Sequence, residues 1–412
     1  MRTSFVRAVV AAMFAISALA FTAGMASAAP SVSRSLAKPL SAAQESMKAN
    51  DFAGALTHIQ EAQAVTGRTT FDDYVINQFL GNIYIGLKDY PKALVAFQAM
   101  ADSPDLPPAD KNNVSATIVQ LAINNNQWAV AIKYGEQLQA AGPLPAVIAE
   151  QLAVAYYNSG DHAKALTLAK TQIDADKAAG HQPSQALLQI LVNGQAGAKD
   201  NAGAMATLEG LVMDYGDAND WARLIDPAFG RGMTDLQALN LYRLRVATGA
   251  TTSVEDYAIM ATVTTKAGYP GETVSMLEHG LAKGEIKPGD KTAGPLAAAR
   301  QKTVEDKRAL PGFDAQAKAR KTGDFDVKVA ETYYGYGQYA DAEAAARRAM
   351  GKGGVKDPAE APMVLGMSLA MQGKNAEAVD VLSKVGGNAN DQKIAHLWTI
   401  YAQRKYTTPT AH

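Results

Sequence analysis

The chain has 412 residues, 48% of them apolar, no cysteine and a formal charge of −1. That is enough apolar material for a large buried core, while the missing cysteine excludes disulfides, thiolate metal sites and cysteine nucleophiles. Near-neutrality, with no cluster of Lys and Arg, argues against nucleic acid as a partner, because phosphates demand a basic face.

At the N-terminus Arg2 and Arg7 precede an uncharged run from Ala8 to Ala23 that closes on Ala26-Ser27-Ala28. This is the anatomy of a signal peptide, residues 1–28. Small residues at 26 and 28 set the cut after Ala28, and Pro30 disfavours one a residue later. An apolar core of roughly 15 residues is short for a membrane span of about 20. The mature chain is therefore expected to begin at Ala29, with a charge near −3 once Arg2 and Arg7 are lost. A lipid anchor would need a cysteine at that position, so a soluble periplasmic or secreted product is expected. No later apolar stretch is long enough to span a bilayer.

One short phrase then recurs: a turn residue, Asp or Gln, an aromatic ring or His, and Ala three positions after the ring. It runs Asn50-Asp51-Phe52 to Ala55, Lys88-Asp89-Tyr90 to Ala93, Asn126-Gln127-Trp128 to Ala131, and Gly160-Asp161-His162 to Ala165. Further on come Gly337-Gln338-Tyr339 to Ala342 and Gly373-Lys374-Asn375 to Ala378. Within the first four phrases and again within the last two, successive alanines fall 34 to 38 residues apart, the period of a helix-turn-helix array.

In these residues the chain resembles the tetratricopeptide repeat family, whose signature combines Leu-Gly-x-x-Tyr, Ala-x-x-x-Phe and a proline. Leu80-Gly81, Tyr84, Ala93 and Phe97 form the best copy; Leu152-Ala153, Tyr156 and Ala165 a second; Leu365-Gly366, Ala378 and Leu382 a third. The resemblance implies an all-α fold, a right-handed α-solenoid of stacked helix-turn-helix repeats in which small residues let helices approach and no pair buries its apolar face alone.

Good copies fall at about 39–66, 74–105, 145–178, 325–351 and 360–386, weaker ones at 112–142, 183–215 and 254–282. Stretches near 219–248 and 290–322 lack the signature but have the length of helix pairs. Residues 29–285 are read as one N-terminal solenoid. The segment 286–324, rich in Pro and Gly (Lys287-Pro288-Gly289, Gly294-Pro295, Leu310-Pro311-Gly312), is read as a degenerate pair or a hinge. Residues 325–406 form the C-terminal repeats, ending in an amphipathic helix (Ile394, Leu397, Trp398, Tyr401) that covers the last repeat. The polar tail 407–412 is expected to be disordered.

Catalytic and metal-binding patterns do not hold together. Ser35-x-x-Lys38, Tyr156-x-Asn158 and Lys321-Thr322-Gly323 occur in the order of penicillin-binding proteins, but that chemistry needs a sheet, and these residues fall in a leader, a repeat signature and a turn. The histidines stand on separate repeats, with His162 taking the aromatic place of the phrase, so no metal site is expected. Gly351-Lys352 and Gly373-Lys374 lack the glycine spacing of a phosphate loop. No cofactor is expected, and nothing assembles a nucleophile, base and oxyanion site. Of the cluster Tyr333, Tyr334, Tyr336 and Tyr339, the first and last match packing positions of the repeat, which leaves Tyr334 and Tyr336 to face a ligand.

Two functions compete. The family resemblance implies a non-enzymatic, extracytoplasmic scaffold that holds a protein or peptide partner in its concave groove; the alternative is a structural part of a cell-envelope complex for secretion, pilus assembly, polysaccharide export or peptidoglycan remodelling. In this family the first helix of each pair lines the groove. Carried over by position, that points to Gln78 and Asn82, Gln120 and Asn124, Glu150 and Asn158, and Gln189 and Asn193 as partner-binding residues. Their shared chemistry is the amide, which both donates and accepts and so suits an extended peptide backbone. The places where family members carry Lys or Arg to clamp a terminal carboxylate hold Gln, Glu or apolar residues here. Oligomeric state is not legible.

Overall fold

The computed structural model describes residues 30–250 and 253–404. The expected signal peptide and the tail 407–412 lie outside them. Among the described residues there are twenty α-helices, three 3₁₀ turns and no strand. The chain divides into two compact units, one ending at Ala155 and the other beginning at Tyr156.

The first unit is made of helix pairs: α1 (Arg34–Lys48) with α2 (Phe52–Ala64), α3 (Thr70–Gly86) with α4 (Tyr90–Ala101), α5 (Lys111–Asn124) with α6 (Trp128–Ala141), then α7 (Ala146–Ser159), inside which the boundary falls. The recurring phrase is the joint of each pair. Its turn residue takes a left-handed backbone, with φ of 59° at Asn50, 61° at Lys88 and 55° at Asn126. The Asp that follows caps the second helix: Asp51 accepts from the Gly54 N–H at 2.9 Å and Asp89 from that of Lys92 at 3.3 Å. One turn on, the phrase alanine meets the partner helix, and Ala55, Ala93 and Ala131 are fully buried. Gly81 is small for the expected reason, since a Cβ there would lie 2.8 Å from the Phe97 ring. At the free end, Asp72 ties the start of α1 to the start of α3. Its carboxylate takes the Ser33 N–H at 2.8 Å and hydroxyl at 2.6 Å while closing a capping box with Thr69. Burial pushes the Asp72 carboxyl up, yet these Ser33 and Thr69 bonds outweigh it and hold it below the ordinary aspartate value.

The second unit continues with α8 (His162–Ala178), α9 (Gln185–Gly197), α10 (Asn201–Asp214), a short α11 (Ala218–Ile225), α12 (Asp235–Thr248), α13 (Val254–Ala267) and α14 (Pro270–Lys283). Then come α15 (Leu296–Ala319), α16 (Asp324–Gly335), α17 (Tyr339–Lys352), α18 (Glu360–Met371), α19 (Asn375–Leu382) and α20 (Ala389–Gln403). The same joint recurs, with Asp161 and Asp200 as caps and Ala165, Ala342 and Ala378 fully buried. Three expectations change here. The stretch 290–322 is not a helix pair: after a 3₁₀ turn it is one helix of 24 residues that runs through Pro311. Lys307, whose carbonyl Pro311 leaves without its helical donor, lies on an exposed part of α15. The division of the chain falls at 155/156 instead of at that Pro/Gly-rich stretch.

The third change concerns α20. It buries Ile394, Leu397, Trp398 and Tyr401, and it returns to helices some 150 residues earlier. The Trp398 indole donates to the Asn240 carbonyl at 3.1 Å, and the Gln237 amide donates to Asp391 at 2.6 Å. Lys393 reaches the Pro227 carbonyl at 2.8 Å, and the rings of Trp221 and Tyr401 meet edge-on at 6.3 Å. The second unit is closed upon itself by its last helix.

Candidate functional site

In the first unit Gln78 and Asn82 stand half-buried on α3, Gln120 half-buried and Asn124 exposed on α5, and Glu150 half-buried on α7. Asn82 spends one amide hydrogen on the Gln78 carbonyl of its own helix, at 2.8 Å. In the second unit the exposed Asn158 lies on α7, and Gln189 and Asn193 lie half-buried on α9.

Gln189 and Asn193 belong to a polar track that joins α7, α9 and α11. The Asn193 amide donates to the Tyr157 hydroxyl at 2.8 Å and its oxygen accepts from Arg223 at 2.9 Å. Arg223 pairs in turn with Asp220 at 3.3 Å, and Asp220 accepts from Gln189 at 3.3 Å. The spacing of four residues between Gln189 and Asn193 puts them on one face of α9, and the spacing of three between Asp220 and Arg223 does the same on α11. Burial raises the Asp220 carboxyl; the Gln189 bond and Arg223 pull the other way, and Asp217 adds to the rise. The two amides are thus held in fixed orientations by their neighbours. Sequence reading missed Tyr157, Asp220 and Arg223, since the first carries no repeat signature and the other two sit in a stretch without one. His162 packs its ring 5.0 Å from that of Tyr157, as its place in the phrase predicted.

A second polar centre lies inside the same unit. Arg243 on α12 is 3% exposed and forks onto Glu272 of α14, Nε to Oε1 and Nη2 to Oε2, both at 2.7 Å. Its Nη1 donates to Asn240 and to Glu331 of α16, which is 1% exposed. The Arg243 guanidinium also lies 4.6 Å from the centre of the Tyr334 ring and 6.0 Å from that of Tyr269. Burial works against its charge, but the forked Glu272 leads the interactions that outweigh it and keep it charged. Breaking such a buried pair by removing one partner costs about 3–5 kcal/mol, because the survivor is left uncompensated. This centre corrects the expectation for Tyr334: it is core, 6% exposed. Tyr336, expected to face a ligand, is half-buried and gives its hydroxyl to Asp306 at 2.5 Å.

Beside α15 a half-open cleft of about 400 Å³ is walled by Pro270, Thr273, Pro295, Ala298, Ala299 and Lys302. No group of three His, Cys, Asp or Glu among the described residues is placed to hold a metal ion. No helix among them is long and apolar enough to cross a membrane.

Residues 330–391 match the family model of the tetratricopeptide repeat. They span α17 to α19 and the ends of α16 and α20 that adjoin them, where Gly366 packs on Leu382. That segment therefore carries the repeat's sequence pattern, and the described residues around it are all helical; the repeat generally mediates contacts between proteins and is typically a non-catalytic scaffold. No curated protein matches it. Among solved structures it is similar to a tetratricopeptide repeat protein from Parabacteroides merdae, at 12% identity and a TM-score of 0.28, covering 79% of this chain and 98% of that one. It is also similar to the Cut9-Hcn1 hetero-tetramer of the APC/C, at 10% identity and 0.33 over 81% and 73% of the two chains. A third likeness is Naa15/Naa10 bound to HypK-THB, at 12% identity and 0.29 over 86% and 68%. At these scores the likenesses add nothing to what the helices themselves show.

Proposed function

We propose that the chain is an extracytoplasmic scaffold that holds a peptide or protein partner along the leading helices of its pairs, and that it is not an enzyme. The observation that carries this reading is the track of Tyr157, Asn193, Arg223, Asp220 and Gln189, which joins three leading helices into one partly exposed polar surface. Asn193 keeps a second amide hydrogen and Arg223 further N–H groups beyond these bonds, enough to engage a peptide carbonyl or a side chain. Each such bond nets about 0.5–1.5 kcal/mol, so several in register make a specific contact without a deep pocket. The partner is first defined as the protein or peptide recovered with the native protein from its own compartment. Asn82, Gln120 and Asn193 changed together to Ala should leave the helical spectrum intact and abolish recovery of that partner, and Arg223→Ala should weaken it. Undiminished recovery by both variants places binding elsewhere. Intact mass of the native product tests the compartment: a first residue at Ala29 is expected, and retention of residues 1–28 overturns export by this route.

A further inference from the structure

The charges of the buried centre do not balance. Arg243 is the one cation there, and its fork is committed to both oxygens of Glu272. Glu331 receives a single bond from Arg243 to Oε2, while its Oε1 is buried and has no hydrogen-bond partner. Two ionised carboxylates against one guanidinium leave an excess negative charge in a space closed to solvent, and a buried group in that position neutralises itself. A third carboxyl, Glu360, stands half-buried at the first turn of α18.

We propose that Glu331 is a proton-binding site through which the second unit responds to pH: the packed helices α14, α16 and α18 hold its carboxyl protonated, and loss of the proton loosens that packing. The occupant is a proton, because the Glu331 oxygen is closed to anything larger. Glu331 is faced by Arg243 of α12, by Glu272 and the neighbouring Tyr269 of the α13–α14 segment, and by Glu360 of α18. Glu360 is faced by Glu331, Asp357 and Asp324, with Lys328 opposing them. In agreement with this geometry, burial raises the Glu331 carboxyl more than Arg243 lowers it. Burial, with the acidic neighbours of Glu360 adding to it, raises that carboxyl to about 6. Both values rise above the unfolded glutamate value of about 4.3. Their contribution to stability is therefore full below that value and is lost as pH rises, through about 6 for Glu360 and through the raised value of Glu331. This runs opposite to the salt-bridged carboxylates behind ordinary acid denaturation. The helices concerned include the leading helices of the segment that matches the repeat family, so the face they offer becomes pH-dependent whatever partner it takes.

The test is urea unfolding of the full chain between pH 5 and 8, followed by tryptophan fluorescence, for wild type, Glu331→Gln and Glu360→Gln. Each proton held only by the folded state lowers the folding constant about tenfold per pH unit. Wild type should therefore lose stability with rising pH more steeply than either variant, and Glu331→Gln should equal or exceed it at pH 8. A Glu331→Gln chain destabilised equally at both ends, with the wild-type slope, overturns the proposal and makes Glu331 an ionised partner of Arg243. Carboxyl ¹³C titration of wild type labelled at glutamate decides the matter even if a variant fails to fold. A glutamate carboxyl titrating near 6 or above supports the site; all glutamates titrating below pH 5 exclude it.

Discussion

The two units use the same helix pair and hold it together differently. In the first unit, apart from the Ser33–Asp72 tie, pairs meet the neighbours next to them in sequence, and the buried side chains are almost all apolar: Ala93, Phe97, Ile118 and Tyr134 belong to one cluster, Leu36, Ile59 and Ile83 to another. In the second unit α20 returns to α10, α11 and α12, and buried polar groups join elements far apart in sequence, with Gln237 bonded to Asp391 and Arg243 to Glu331. A linear stack is stabilised by nearest-neighbour interfaces and opens piecemeal from its ends; a closed unit has to break its closure first. The difference predicts two modes of unfolding within one chain.

Trp398→Ala gives the largest expected effect. The side chain is fully buried against α12 and carries the bond to the Asn240 carbonyl. Its loss should cost about 3–5 kcal/mol, the usual range for a buried Trp. Amide exchange should accelerate in α10 to α12 as well as in α20, with α1 to α4 unchanged. Acceleration confined to α20 would show that its return contacts are ornament and that the second unit is another open stack.

Next come the small residues at helix crossings. Gly81→Leu in the first unit would drive a side chain into Phe97, and Gly366→Leu in the second into Leu382. Each should cost about 1–3 kcal/mol by overpacking. In the linear unit the Gly81 change should loosen α3 and α4 alone. In the closed unit the Gly366 change should lower the whole transition, and urea titration followed by exchange separates the two cases. If Gly81→Leu matches wild type, the repeat register assigned to the first unit is wrong.

These positions were legible because their causes are local. The left-handed residue, the capping Asp, the phrase alanine and Gly81 all act within one helix pair, so a period of 34 to 38 residues exposes them. The closure was not legible. Gln237 and Asn240 look like ordinary polar positions on α12 until Asp391 and Trp398 arrive from more than 150 residues away. Arg243, Glu272 and Glu331 likewise sit on separate repeats, and no spacing rule joins them. Pro311 misled for a different reason: a Pro-Gly dipeptide signals a break, but a helix exposed on the side of the freed carbonyl can carry one. Of the residues proposed for partner binding, Asn193 and Gln189 share a network with Arg223 and Asp220, which the amide pattern alone did not reveal.

Helix caps should matter less, by about 1 kcal/mol each. Asp89→Ala removes the acceptor of the Lys92 N–H in the linear unit, and Asp200→Ala that of Gly203 in the closed one. Both helix starts should fray in amide exchange. In the closed unit the fraying should be smaller at equal cost, because α10 is also held from outside by α20, where His396 meets Glu209 at 3.0 Å. Equal fraying would mean that the closure does not reach α10.

The smallest effect concerns the joints themselves. Asn50, Lys88 and Asn126 all hold a left-handed backbone in the first unit, whereas the corresponding places in the second are mostly glycine, at Gly160, Gly337 and Gly373 with Lys199 the exception. A side chain in that region costs roughly 1–2 kcal/mol through its Cβ, while glycine loses about 0.5–1 kcal/mol more chain entropy on folding than alanine does. The terms oppose, and the steric one is larger. Lys88→Gly should therefore stabilise the first unit by a few tenths to about 1 kcal/mol, and Gly337→Lys should destabilise the second by a similar amount. Neither change touches a buried contact, since Lys88 and Gly337 are both exposed, so urea midpoints read the backbone alone. A destabilised Lys88→Gly would mean that this lysine holds its joint through its side chain, and that the two units differ in their turns for a reason other than strain.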